Sequence, residues 1–139
     1  NSGSTFGTQT SSVYATGEEG TSNPFTRVAS TLEWNGTSWT SGGDYLNVLY
    51  SGAGSGVQTA GMISGGFNPP SNTNLCATYD GTTWITTASL STARRALQSG
   101  GVSSSPSIVF GGYTTTYVGT TEEYTGGTSV TTASTLTTS

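Results

Sequence analysis

The sequence predicts an all-β fold made of three tandem units, and three observations carry that prediction. The stretch Tyr79-Asp80-Gly81-Thr82-Thr83-Trp84 has an earlier copy, Trp34-Asn35-Gly36-Thr37-Ser38-Trp39, and a weaker later one, Tyr124 to Val130. The copies begin at 34, 79 and 124, a constant spacing of 45, and a fixed period of that length is the mark of a repeat architecture. A second landmark recurs alongside: a short apolar run closing on glycine, as Ser12–Gly17, Gly61–Gly66 and Ser107–Gly112. Composition agrees, since 139 residues with 21 Gly, over a third Ser and Thr, and 10% aromatics suit many short strands and many turns.

Each element follows from its residues. Asn35-Gly36 and Asp80-Gly81 between aromatic and Thr flanks predict tight hairpins with a two-residue primed turn, whose positive φ angles Asn, Asp and Gly tolerate. The glycine pairs Gly65-Gly66 and Gly111-Gly112 predict sharp exits from strands, or backbone approaches that a side chain would block. Variable loops follow at 18–27, 67–74 and 113–119. The next strands, 29–34, 75–79 and 120–124, lead into the hairpins. Connections at 44–50 and 90–97 complete the units and are expected to be strand, by the Tyr, Val and Leu of the first.

Four short strands in about 45 residues make one propeller blade. The whole chain, 1–139, then reads as a single repeat domain of three four-stranded blades, with units centred on the hairpins at 34–39, 79–84 and 124–130. The chain starts inside a unit, so its first strand is expected to complete the sheet begun by its last strands. Three blades are too few to close a ring of the usual 4–8. The expected partner is therefore the chain itself, as a homo-oligomer completing the ring, or further repeats of a longer parent chain.

Little in the sequence can perform chemistry. There is no Lys or His, and the cations are Arg27, Arg94 and Arg95 against seven acids, a net charge of −4. Nothing here neutralises a phosphate backbone, which excludes nucleic acid, and no apolar run reaches the ~20 residues of a membrane-spanning helix. Nucleophile–base pairs of the common kinds cannot be assembled, and Cys76, alone, is expected as a buried thiol in a strand. No enzyme, cofactor or metal site is expected. The alternative is a glycan-active enzyme using the carboxylates of Glu18, Glu19, Asp44 and Asp80; Glu122 and Glu123, adjacent on a strand, point to opposite faces and cannot pair. The Asn35-Gly36-Thr37 sequon is explained by turn chemistry alone.

The candidate recognition residues are Phe25, Phe67, Asn68, Tyr113 and Tyr117, in the loops that vary most between otherwise similar units. Loops at equivalent places emerge on one face, where aromatics can stack on sugars or anchor a protein. The bland alternative has Phe25, Phe67 and Tyr113 folding back over the strand ends.

At this point the residues resemble the kelch-type repeats of β-propellers. The similarity rests on Ala93-Arg94 after the Trp-bearing strand, the run ending Phe110-Gly111-Gly112-Tyr113, and the spaced Tyr79 and Trp84. It implies that Trp39, Trp84, Tyr79, Tyr124, Gly65, Gly66, Gly111 and Gly112 are packing residues between blades. Three departures stand against it: Tyr79 and Trp84 are closer than usual, Glu18 replaces the second glycine, and Val130 falls where Trp is expected. The His ligands of kelch-class copper oxidases are absent from this sequence. The repeats are also similar to Thr/Gly-rich repeats of bacteriophage tail-fibre and virion proteins. The function expected is a structural or recognition module at an extracellular or virion surface that binds a glycan or a host surface protein, or a purely architectural fibre or shell subunit.

Overall fold

A computed structural model describes residues 2–126 and the two-residue strand Ser129–Val130. The fold is all-β, and among the described residues there is no helix. Strands β1 (Ser4–Gly7), β2 (Ser12–Glu19), β3 (Thr26–Trp34) and β4 (Trp39–Ser41) form a first four-stranded sheet in chain order. Then come β5 (Ala53–Val57), β6 (Ala60–Ser64), a ribbon of β7 (Phe67–Asn68) and β8 (Ser71–Asn72), β9 (Cys76–Tyr79) and β10 (Trp84–Thr87). Of these, β5, β6, β9 and β10 make the second sheet. The third consists of β11 (Gln98–Gly100), β12 (Ser107–Phe110), β13 (Thr121–Tyr124) and β14 (Ser129–Val130). All pairings are antiparallel.

Four details correct the sequence reading. The first strand is not lent to the last sheet: β1 pairs with β2 from Ser4↔Ala15 to Gly7↔Ser12, so each sheet comes from one contiguous stretch. The connections at 44–50 and 90–97 are irregular and not strand; each forms one isolated bridge, at Tyr50 and Arg95. The first variable loop is shorter than expected, because Glu18 and Glu19 extend β2 against Arg27 and Thr26 of β3. The hairpin turns are not primed two-residue turns centred on Asn-Gly and Asp-Gly. The carboxamide of Asn35 accepts from Thr37 N and Ser38 N, both at 3.0 Å, and Asp80 accepts likewise from Thr82 N at 2.8 Å and Thr83 N at 2.7 Å. A short side-chain acceptor reinforces the backbone bond across each turn, Asn35 N to Ser38 O at 3.2 Å and Asp80 N to Thr83 O at 3.3 Å, and only the following glycine takes a positive φ, +93° at Gly36 and +94° at Gly81. The expected second arm at 129–132 is described only for Ser129 and Val130.

Alternation along the strands sends residues to two different interfaces. Between the first and second sheets lie Phe6, Val13, Ala15, Tyr45, Leu49, Ile63, Ala77, Tyr79 and Trp84. Trp84 fills the wedge there: its indole donates to Thr31 Oγ1 at 3.0 Å, and its ring meets Tyr79 at 4.7 Å and Tyr45 at 4.9 Å. Sheet approach at this point requires glycine, since a Cβ on Gly61 would lie 1.9 Å from the Phe6 ring. Between the second and third sheets lie Ala53, Met62, Cys76, Leu90, Leu97 and Val109, with Tyr124 packed against them. Cys76 is the buried strand thiol the sequence predicts, and burial raises its pKa.

Trp39 departs from the packing role expected of it. It is 50% exposed and touches Trp34 of its own sheet, centroids 5.5 Å apart. The reason is position: its side of the first sheet faces away from the other two.

Candidate functional site

The glycine landmarks set the site's geometry. Gly66, at φ +116°, donates its N–H to Arg94 O at 2.8 Å, and the next residue, Phe67, exchanges backbone bonds with Tyr50 at 3.2 and 2.8 Å. One unit later Tyr113, following Gly112, exchanges bonds of 3.1 and 2.8 Å with Arg95. Each connection is thus fastened to the strand exit of the sheet it leads into. Side chains from successive connections and exits are brought into one row.

That row sets each of two cations before a pair of rings. The Arg27 guanidinium lies over Tyr50 at 5.3 Å, Tyr50 packs on Phe67 at 5.2 Å, and Arg95 sits 4.9 Å from the Phe67 centroid and 5.0 Å from that of Tyr113. Tyr117 closes it edge-on to Tyr113 at 5.3 Å and is itself 88% exposed. Asn72 fixes the centre, accepting from Arg95 Nη1 at 3.2 Å and donating to the carbonyls of Tyr113 and Thr114 at 3.0 Å each. Glu18 lies 3.6 Å from Arg27 at one end. The guanidinium of Arg95 therefore lies between two rings and is oriented by Asn72, with cation–π attraction to both.

Of the sequence candidates, Phe67, Tyr113 and Tyr117 come together in this row. Phe67 and Tyr113 are half-buried and Tyr117 projects. Asn68, paired with Ser71 in the ribbon, stands outside the row, as does Phe25, which lies half-buried near Gly20. Sequence reasoning missed Arg27, Tyr50, Asn72 and Arg95. The signal for two of them was present: Tyr50 and Arg95 are separated by the 45-residue period and end equivalent connections.

Four of the carboxylates, Glu18, Glu33, Asp80 and Glu122, serve structural contacts, while Glu19 and Asp44 are exposed. Asp80 is held ionised, its pKa lowered first by the Thr83 amide and then by that of Thr82. Glu33 accepts from the Tyr79 hydroxyl, whose own pKa is raised by burial and by that bond. Glu122 is buried, 3.0 Å from Arg94 Nη2, and accepts from Ser91 N at 2.7 Å, while Glu123 next to it is exposed on the other face, as alternation requires. Among the described residues no group of three His, Cys, Asp or Glu side chains could hold a metal ion.

No family model and no curated protein matches the chain. It is similar in fold to the solved structure of YjhT, with a TM-score of 0.77 at 13% identity over 94% of this chain. The match spans 45% of YjhT, so this chain corresponds to somewhat less than half of that one.

Proposed function

We propose that the chain is a non-enzymatic β-propeller module of the kelch type, each four-stranded sheet being one blade, that serves recognition at an extracellular or virion surface. The observation that carries this reading is the row Arg27, Tyr50, Phe67, Arg95, Tyr113 and Tyr117, which draws on the connections and strand exits of successive sheets. Flat, half-buried rings beside an oriented guanidinium suit the apolar face of a sugar together with its hydroxyls, or a polar loop of a host surface protein. The exposed ring of Tyr117 is the first to meet such a ligand. Occupation of Asp80 in a turn and of Glu18 in an ion pair, two of the four acids an enzymatic site would use, supports the non-enzymatic reading.

Glycan-array and host-cell binding by the chain and its Tyr117→Ser variant tests this. Loss of an exposed aromatic anchor weakens binding about tenfold or more, with thermal stability unchanged. Unchanged binding would remove the site from this row. Turnover of a glycan, abolished by replacing Glu18, Glu19, Asp44 and Asp80 together, would replace the reading with an enzymatic one.

A further inference from the structure

The aromatic pair and the Thr–Glu pair that meet between the first and second sheets have counterparts on the two outward faces of the molecule. The leading face of the first sheet carries Trp34 and Trp39, a cross-strand pair at the places held by Tyr79 and Trp84 one period later. Leu32, 37% exposed, accompanies them at the place of buried Ala77. The trailing face of the third sheet carries Thr121 and Glu123, two periods after Thr31 and Glu33. Their orientation follows from strand alternation: Glu122 and Tyr124 reach back to Ser91 and Thr87 of the second unit, so Thr121 and Glu123 face away from it. Ile108 and the 37% exposed Phe110 lie on the same face, and Gly100, Ile108 and Glu123 help line an open groove of about 400 Å³.

One polar pair recurs beside the aromatic one. Inside the molecule Trp84 Nε1 donates to Thr31 Oγ1, and Tyr79 donates to Glu33. Of the two polar pairs one recurs on the outward faces, Trp39 offering an indole donor opposite Thr121; Trp34 stands opposite Glu123 as a ring, its own N–H being given to Gln9 O at 3.1 Å. The interface between the second and third sheets lacks this set, having Cys76 and Thr78 at the acceptor places, so the match is specific to the outward pair. Backbone agrees: Ser51 N donates to Ser2 O at 2.8 Å and Ala96 N to Ser51 O at 2.9 Å, in three residues that share a positive φ of 59°, 57° and 53°.

We infer that the leading face of one chain docks on the trailing face of a second copy, Trp39 on Thr121 and Trp34 on Glu123, closing two chains into a ring of six sheets. This rests on the propeller reading above. The faces differ from one another, so the contact is heterologous, and it closes because the two-fold axis of the pair runs down the ring.

Sedimentation of the 139-residue chain at micromolar concentration is expected to give twice the chain mass. Trp39→Glu alone and Thr121→Arg alone each give single chains, and a mixture of the two restores a 1:1 pair, because one junction then joins two intact faces. A wild-type monomer, a Trp39→Glu dimer, an open filament, or a mixture that stays monomeric would overturn the inference. Should Trp39→Glu fail to fold by circular dichroism, Trp39→Ser, at a half-exposed position, replaces it under the same expectations. A crystal structure of a monomeric variant separates the two ideas: sheets sharing no axis would refute the propeller, whereas a wild-type monomer whose sheets share one would refute only the docking.

Discussion

Asp80 and Asn35 perform one task with different chemistry, and this makes a pH prediction with an internal control. Both close a four-residue turn by accepting from the two following amides, but only Asp80 carries a charge. Its lowered pKa means that its contribution is complete above the ordinary carboxylate value of ~3.9 and is lost as pH falls through the lower folded value. Full exposure of the group keeps that contribution small. Asp80→Asn should preserve the turn, as Asn35 does, and flatten the acid limb of denaturation midpoint against pH below about 4; an unchanged acid limb would contradict the assignment. A larger effect belongs to Arg94 and Glu122, buried together at 3.0 Å. Arg94→Met should cost about 3–5 kcal/mol in urea unfolding by leaving a buried carboxylate unpaired, and Arg94→Met with Glu122→Leu should recover most of it. A single-variant loss below about 1 kcal/mol would show that the carboxylate finds water.

Among the elements, the places where sheets meet matter more than the strands themselves. Gly61 admits the Phe6 ring to the backbone of β6, and Gly61→Ala forces that ring off Trp84, 6.0 Å away. We expect a loss of about 1–3 kcal/mol, the usual cost of overpacking, with quenched or shifted Trp84 fluorescence as its signature. An unperturbed variant would mean that Phe6 has room to move. The strands of each unit were legible because aromatic, Val and Thr runs repeat between glycine landmarks, which fixes them independently of any one propensity. The connections were misread for a physical reason: Tyr45 and Leu49 are apolar because they are buried between sheets, and burial in an irregular segment leaves the same residue types as a strand. In the candidate site, the loop aromatics Phe67, Tyr113 and Tyr117 could be seen by their variability. For Tyr50 and Arg95 the period marked equivalent places but not their meeting with those rings, which depends on which sheet each connection is fastened to.

At the scale of the molecule, the three sheets present two unlike outward faces and one row of aromatic and cationic side chains. Both proposals depend on the sheets turning about a common axis, with the outward faces meeting and the row repeated in each chain. Half-exposed Trp39, exposed Phe110 and half-buried Ile108 are then surfaces awaiting burial, and a chain that left them in water would expose apolar area at two places. Class averages of the purified chain in electron microscopy, viewed down the particle axis, test this arrangement most directly. The account predicts a closed ring of six radial sheets made by two chains; an isolated three-sheet particle, or sheets stacked with no central axis, would contradict it.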